Sequence, residues 1–136
     1  MSEPDLIMIV KSCRFKNKKA KYLLHAKLKF HALISAIRDE TLTNKQKRDF
    51  LCDNIKGMGM KAASHFLRNL GIFDLAIIDT HIINRFGIEA PKNRNEYRYF
   101  EFLIEKYCVK NSIEMHILDA ILWKRYSKTS SEDFIY

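Results

Sequence analysis

Ile55-Lys56-Gly57-Met58-Gly59-Met60-Lys61, followed by Ile77-Ile78-Asp79-Thr80-His81, is the part of this chain that decides its fold. Two glycines separated by one residue let a backbone reverse tightly and lie close to a partner. A helical run from Lys61 to about Leu70 follows at once, and Gly71 then offers the left-handed position that ends a helix. Asp79 comes 79 − 61 = 18 residues after Lys61 and precedes Thr80 to Phe86, a second helical run whose free amides a carboxylate can cap. The reading is a pair of helices joined by a hairpin across about residues 55–61, with a capped helix after it.

Working outward, the remaining pattern is helical as well. Ser2, Glu3 and Pro4 form a helix start before the apolar run Leu6 to Val10. Asn17 is a cap for a longer helix, where Ala20, Leu23, Leu24, Phe30, Leu33, Ile34 and Ile37 recur at helical spacing and lysines fill the outer face. Thr43 with Gln46 reads as a capping box for a helix to about Asp53. Gly87 and the pair Ala90-Pro91 end the helix that Asp79 begins. Glu96 to Tyr107 and Ser112 to Tyr126 complete the series. No alternating run predicts a strand, so the expected class is all-α, a helical bundle in one domain spanning residues 1–136.

Charge narrows the partners. Lys and Arg number 24 against 16 Asp and Glu, a formal charge of +8, which suits a polyanion or, more plainly, a solvated basic surface. Nine basic residues and no acidic one lie between Leu6 and Arg38. Cys13, Cys52 and Cys108 are odd in number and widely spaced, which predicts a reducing compartment, small buried thiols and no zinc or iron–sulfur site. The run Leu6–Val10 is too short for a signal peptide or a membrane span, so the expectation is a cytoplasmic protein with no membrane contact.

The hairpin has a physical use. Amides freed at the start of the helix after Gly59 can bind a phosphate, aided by the helix dipole, and such a contact holds a nucleic-acid backbone without reading its sequence. Lys56, Gly57, Met58 and Gly59 are the candidate DNA contacts. Lys61 occupies the first turn of that helix, where the positive end of the dipole and partial burial disfavour an ammonium and favour the neutral amine a nucleophile needs. Taken alone, it also reads as a surface lysine on a phosphate. Asp79 follows the apolar Ala76-Ile77-Ile78, so its loop should press on the core while its carboxylate faces developing positive charge. Capping and catalysis are compatible there.

The run Asn54 to Gly71, with Ile78-Asp79-Thr80-His81-Ile82, resembles the archaeal-type 8-oxoguanine DNA glycosylase/AP lyases of the helix-hairpin-helix superfamily. Arg14-Phe15, Asn17 to Tyr22, Leu118-Asp119-Ala120 and Leu122-Trp123 extend the likeness over most of the chain. The resemblance implies that Lys61 is the nucleophile, Asp79 the essential carboxylate, and double-stranded DNA with oxidised guanine or an abasic site the substrate, with no metal or organic cofactor. A non-catalytic helix-hairpin-helix DNA-binding module, or an inactive truncated glycosylase, is the alternative. His81 is expected near the DNA backbone, and His65, Arg68 and Trp123 are candidates for the base pocket or its support.

Two departures from the family pattern stand out. The family has several helices before the segment matching Arg14-Phe15, where this chain has about one, so exposed apolar surface and a homodimer or a missing partner chain are expected. Lys124 to Tyr136 replaces a family tail that helps recognise the oxidised base.

Overall fold

The structure, a computed structural model, describes residues 15–130 together with Ser2, Pro4 and Met8. The helix expected near Pro4 falls mostly outside those residues, as do Cys13, Arg14 and the end of the tail. Seven helices and no strand occur among the described residues: α1 Lys16–Leu28, α2 Phe30–Arg38, α3 Asn44–Asn54, α4 Met60–Asn69, α5 Thr80–Phe86, α6 Arg94–Lys110 and α7 Met115–Ser130. The chain divides into two compact units, Met1–Gly59 and Met60–Tyr136.

In the first unit α1 packs on α2 and α2 on α3. The single long helix expected from Asn17 is broken at Lys29, which ends α1 and precedes α2 at φ −102° and ψ 8°. Its amide still bonds back to Ala26 at 3.1 Å, so the break is a single turn between the two helices. Asn17 is not the cap. Phe15 holds that position in the left-handed region at φ 58°, with no side-chain cap bond. The Thr43–Gln46 capping box forms in both directions, at 3.1 and 2.8 Å. Ala20, Leu33, Ala36 and Leu51 are buried here, with the side chain of Arg48 among the most enclosed.

In the second unit α7 packs on α5 and α6. Gly71 and Gly87 take the expected left-handed stops at φ 94° and 61°. Asn93 caps α6 by accepting from the Glu96 amide at 2.9 Å, so the helix starts at Arg94, two residues before the start expected at Glu96. Ser112, expected to begin the last helix, is instead a linker residue at φ 52°. Between α4 and α5, Leu75, Ala76, Ile77 and Ile78 are all buried as an extended loop. Cys108 is buried, and burial together with Glu105 pushes its thiol up, whereas Cys52 is only half-buried, short of the buried position expected for it.

Candidate active site and nucleic-acid interface

The hairpin closes the first unit. The Met58 amide donates to the Ile55 carbonyl at 3.2 Å, and Gly57 turns the chain at φ 81°. A Cβ on Gly57 would lie 2.4 Å from the Tyr22 ring, so glycine is required there by both conformation and space. Gly59 corrects the sequence expectation: it is not among the positive-φ glycines, and a Cβ there would meet nothing within 4 Å. Its open surroundings leave room for a partner's backbone rather than for a strained turn.

Tyr22, His25 and Lys29 fall on one face of α1 by their spacing of three and four. His25 and Lys29 line an open depression of about 540 Å³ together with Asn54, Lys56, Gly57 and Gly59. Lys29 Nζ donates to Asn54 Oδ1 at 3.4 Å, and Asn54 Nδ2 donates to the Phe50 carbonyl at 2.9 Å, which steadies the end of α3 where the hairpin begins. Lys56 is exposed on this rim. The helical spacing of Tyr22, His25 and Lys29 was visible in the sequence, but nothing there indicated that this face turns toward the hairpin.

Lys61 is in the first turn of α4 and exposed. The partial burial expected for it is therefore absent. His65 is exposed one turn further along the same face.

Asp79 caps α5 with one oxygen. Its Oδ1 accepts from the amides of His81 at 3.0 Å and Ile82 at 3.2 Å, so the cap does not engage Oδ2. The preceding loop is pressed against α6, as the apolar run predicted.

Arg68 lies seven residues after Lys61, two turns along the same face of α4. Its Nη1 pairs with Asp119 Oδ2 of α7 and its Nη2 donates to the Leu75 carbonyl at 2.8 Å. Asp79 and His81 are close enough to Asp119 to influence its titration. Burial pushes the Asp119 carboxyl up, Arg68 pulls it down, Asp79 pushes it up and His81 pulls it down. Burial outweighs the guanidinium because the pair is largely withdrawn from water, with side-chain exposures of 13% and 18%.

The structure thus gathers Arg68, Asp79 and His81 around Asp119, while Lys61 and His65, earlier along the face of α4 that carries Arg68, are exposed. Asp119 carried no assigned role in the sequence reading, although it lies in a segment quoted for the resemblance. Trp123 is one turn beyond it on α7 and 59% exposed, so it is not a core residue. His116 continues that face and stacks on Phe73 with ring centroids 4.5 Å apart.

Comparison with known proteins places these features in a family. Residues 1–117 match the family described as 8-oxoguanine DNA glycosylase. The 8-oxoguanine DNA glycosylase/AP lyase of Saccharolobus solfataricus is 38% identical, with 94% of this chain and 67% of that protein covered. That of Sulfolobus acidocaldarius is 35% identical, covering 95% and 67%. The crystal structure of the Methanocaldococcus jannaschii 8-oxoguanine glycosylase/lyase in complex with DNA containing 8-oxoguanine superposes with a TM-score of 0.81 at 31% identity, covering 94% of this chain and 65% of that one. The Thermotoga maritima 8-oxoguanine DNA glycosylase superposes at 0.77 with 29% identity, covering 90% and 62%. The chain therefore spans about two thirds of the length of the relatives it matches. Its all-helical architecture is that of the helix-hairpin-helix glycosylases, and the chain belongs to the 8-oxoguanine DNA glycosylase family.

Proposed function

We propose that this chain is a bifunctional base-excision repair enzyme that removes 8-oxoguanine from double-stranded DNA and cleaves the strand at the resulting abasic site. The observation that carries this reading is the pairing of two helix starts: Lys61 exposed at the first turn of α4, and Asp79 capping α5 through Oδ1 alone. Membership of a family whose named relatives are glycosylase/AP lyases supports it. Because that match runs through both compact units, they are read as one glycosylase domain.

The hairpin Lys56–Gly59 and His81 hold the DNA backbone, with no sequence read. The damaged nucleotide leaves the stack, since C1′ cannot be attacked within it. The neutral amine of Lys61 attacks C1′, and the electron pair of the glycosidic bond leaves with the base, which takes up a proton. Oδ2 of Asp79 faces the positive charge that develops on the sugar and assists the proton transfers. The nitrogen lone pair then forms the C1′=N bond as the C1′–O4′ bond breaks and O4′ takes up a proton, and the resulting Schiff base on Lys61 acidifies the C2′ proton. Its removal expels the 3′ phosphate and breaks the strand.

Borohydride trapping on duplexes containing an abasic site or 8-oxoguanine tests this directly. A covalent adduct from wild type that disappears in Lys61→Gln is expected. Adduct-free wild type with intact duplex binding would favour the second reading, a non-catalytic DNA-binding module. The exposed Phe102, Leu103, Ile117 and Ile121 support a second copy or a partner chain on α6 and α7, which sedimentation of the isolated chain would detect.

A further inference from the structure

We infer that Arg68 and Asp119 are a positioning pair for Asp79, tying the helix that bears Lys61 to the loop and cap that present the carboxylate. The inference rests on the catalytic reading of Lys61 and Asp79. Arg68 shares the α4 face of Lys61, grips the Leu75 carbonyl at 2.8 Å, and so fixes the entry to the buried loop that ends at Asp79. Its other nitrogen holds Asp119 of α7, the helix packed on α5. One guanidinium therefore joins three segments around the cap.

The charge arrangement gives the tie a second effect. Asp119 is faced by Arg68 from α4 and by Asp79 and His81 from the start of α5. Glu101, the buried acid of α6, is turned to the Ala76 amide. Paired with Arg68, the Asp119 carboxylate can sit beside Asp79 without driving it away. Unpaired, it would repel Asp79 and draw His81 from its place.

The test has two arms. In the first, carbon-13 NMR follows the Asp119 carboxyl. Arg68→Met should move its titration upward by roughly one unit and Asp79→Asn should move it downward. In the second, trapping on abasic-site duplex is timed from about pH 4.5 to 7.5 for wild type, Arg68→Met and Arg68→Met/Asp119→Asn, with Arg68→Lys as the conservative variant. The rate ratio of Arg68→Met to wild type should fall as pH rises and Asp119 ionises, reaching roughly a tenfold loss at neutral pH. The double variant should give a ratio that no longer changes with pH. A pH-independent ratio in Arg68→Met, or an Asp119 titration indifferent to Arg68 and Asp79, overturns the inference. If wild type forms no adduct, the proposed activity fails, and the NMR arm still decides whether the three charges are coupled.

Discussion

The buried carboxylate of Glu101 accepts a hydrogen bond from the backbone amide of Ala76 at 2.8 Å. One turn earlier on α6, the Tyr97 hydroxyl donates to the Ala76 carbonyl at 2.7 Å and accepts from the Ile78 amide at 3.1 Å. Backbone groups buried away from water must find partners, and the loop before Asp79 has no neighbouring strand to supply them. Two side chains of α6 take that role, so the position of Asp79 depends on that helix.

Glu101→Gln keeps an acceptor of nearly the same shape and should leave the loop in place. Glu101→Ala strands the Ala76 amide and should cost about 2 kcal/mol in urea unfolding. Equal unfolding midpoints for the two variants would contradict the role assigned to the carboxylate.

Tyr97→Phe removes one donor and one acceptor while conserving the ring. Two buried backbone groups lose their partner, and a loss of about 2 kcal/mol is expected. Trapping should slow in the same variant, because the loop carries Asp79. Thermal unfolding and a single-turnover assay measure the two effects independently.

Asp79 separates into a structural and a chemical part. Asparagine retains a cap oxygen for the His81 and Ile82 amides, whereas alanine does not. Asp79→Ala should therefore lose about 1 kcal/mol of stability and Asp79→Asn only a few tenths. Both should lose base excision by roughly a hundredfold or more if the free oxygen faces the sugar charge. Excision near the wild-type rate in folded Asp79→Asn would confine this residue to capping.

Much of this was legible along the chain, and the rest was hidden for identifiable reasons. The glycine stops at Gly71 and Gly87, the Thr43 capping box and the Asp79 cap are local devices, each complete within a few residues. The break at Lys29 was invisible because the apolar period runs through it, and only packing of α1 and α2 requires the turn. Tyr97 reads as one more apolar position on α6, and Glu101 as an ordinary surface acid. Their partner Ala76 is 21 and 25 residues away in sequence, respectively, separations no periodicity reports. Arg68 could be placed on the face of Lys61 by counting, but its partner Asp119 is 51 residues on. Gly57 and Gly59 look equivalent in the motif and differ only once the Tyr22 ring is in place.

Asp119 also marks a pH dependence of stability. Its carboxyl is raised above the ordinary 3.8, chiefly by burial, so the folded state holds this proton more tightly than the unfolded chain. Its favourable contribution is then fully present below about the unfolded value and is lost as pH rises through the raised one. The stability of wild type relative to Asp119→Asn should fall over that acidic window and level off above it. A difference that grows with pH there would mean that Arg68, not burial, controls the group.

The two hairpin glycines give the sharpest separation of folding from binding. Alanine at Gly57 must accept φ 81° and a Cβ 2.4 Å from Tyr22, so Gly57→Ala should lose at least about 1 kcal/mol by chemical denaturation. Removing the ring in Gly57→Ala/Tyr22→Ala relieves the overlap but not the backbone angle, and should recover only part of the loss attributable to the hairpin. Gly59→Ala meets no atom within 4 Å and has no such angle to accept, so its unfolding midpoint should stay within a few tenths of a kcal/mol of wild type. Its methyl group instead occupies the space through which a phosphate would approach the amides of α4. Affinity for abasic-site duplex, measured at fixed salt, should fall about tenfold with stability unchanged. Unchanged affinity in Gly59→Ala would mean that the open side of the hairpin is not where DNA lies.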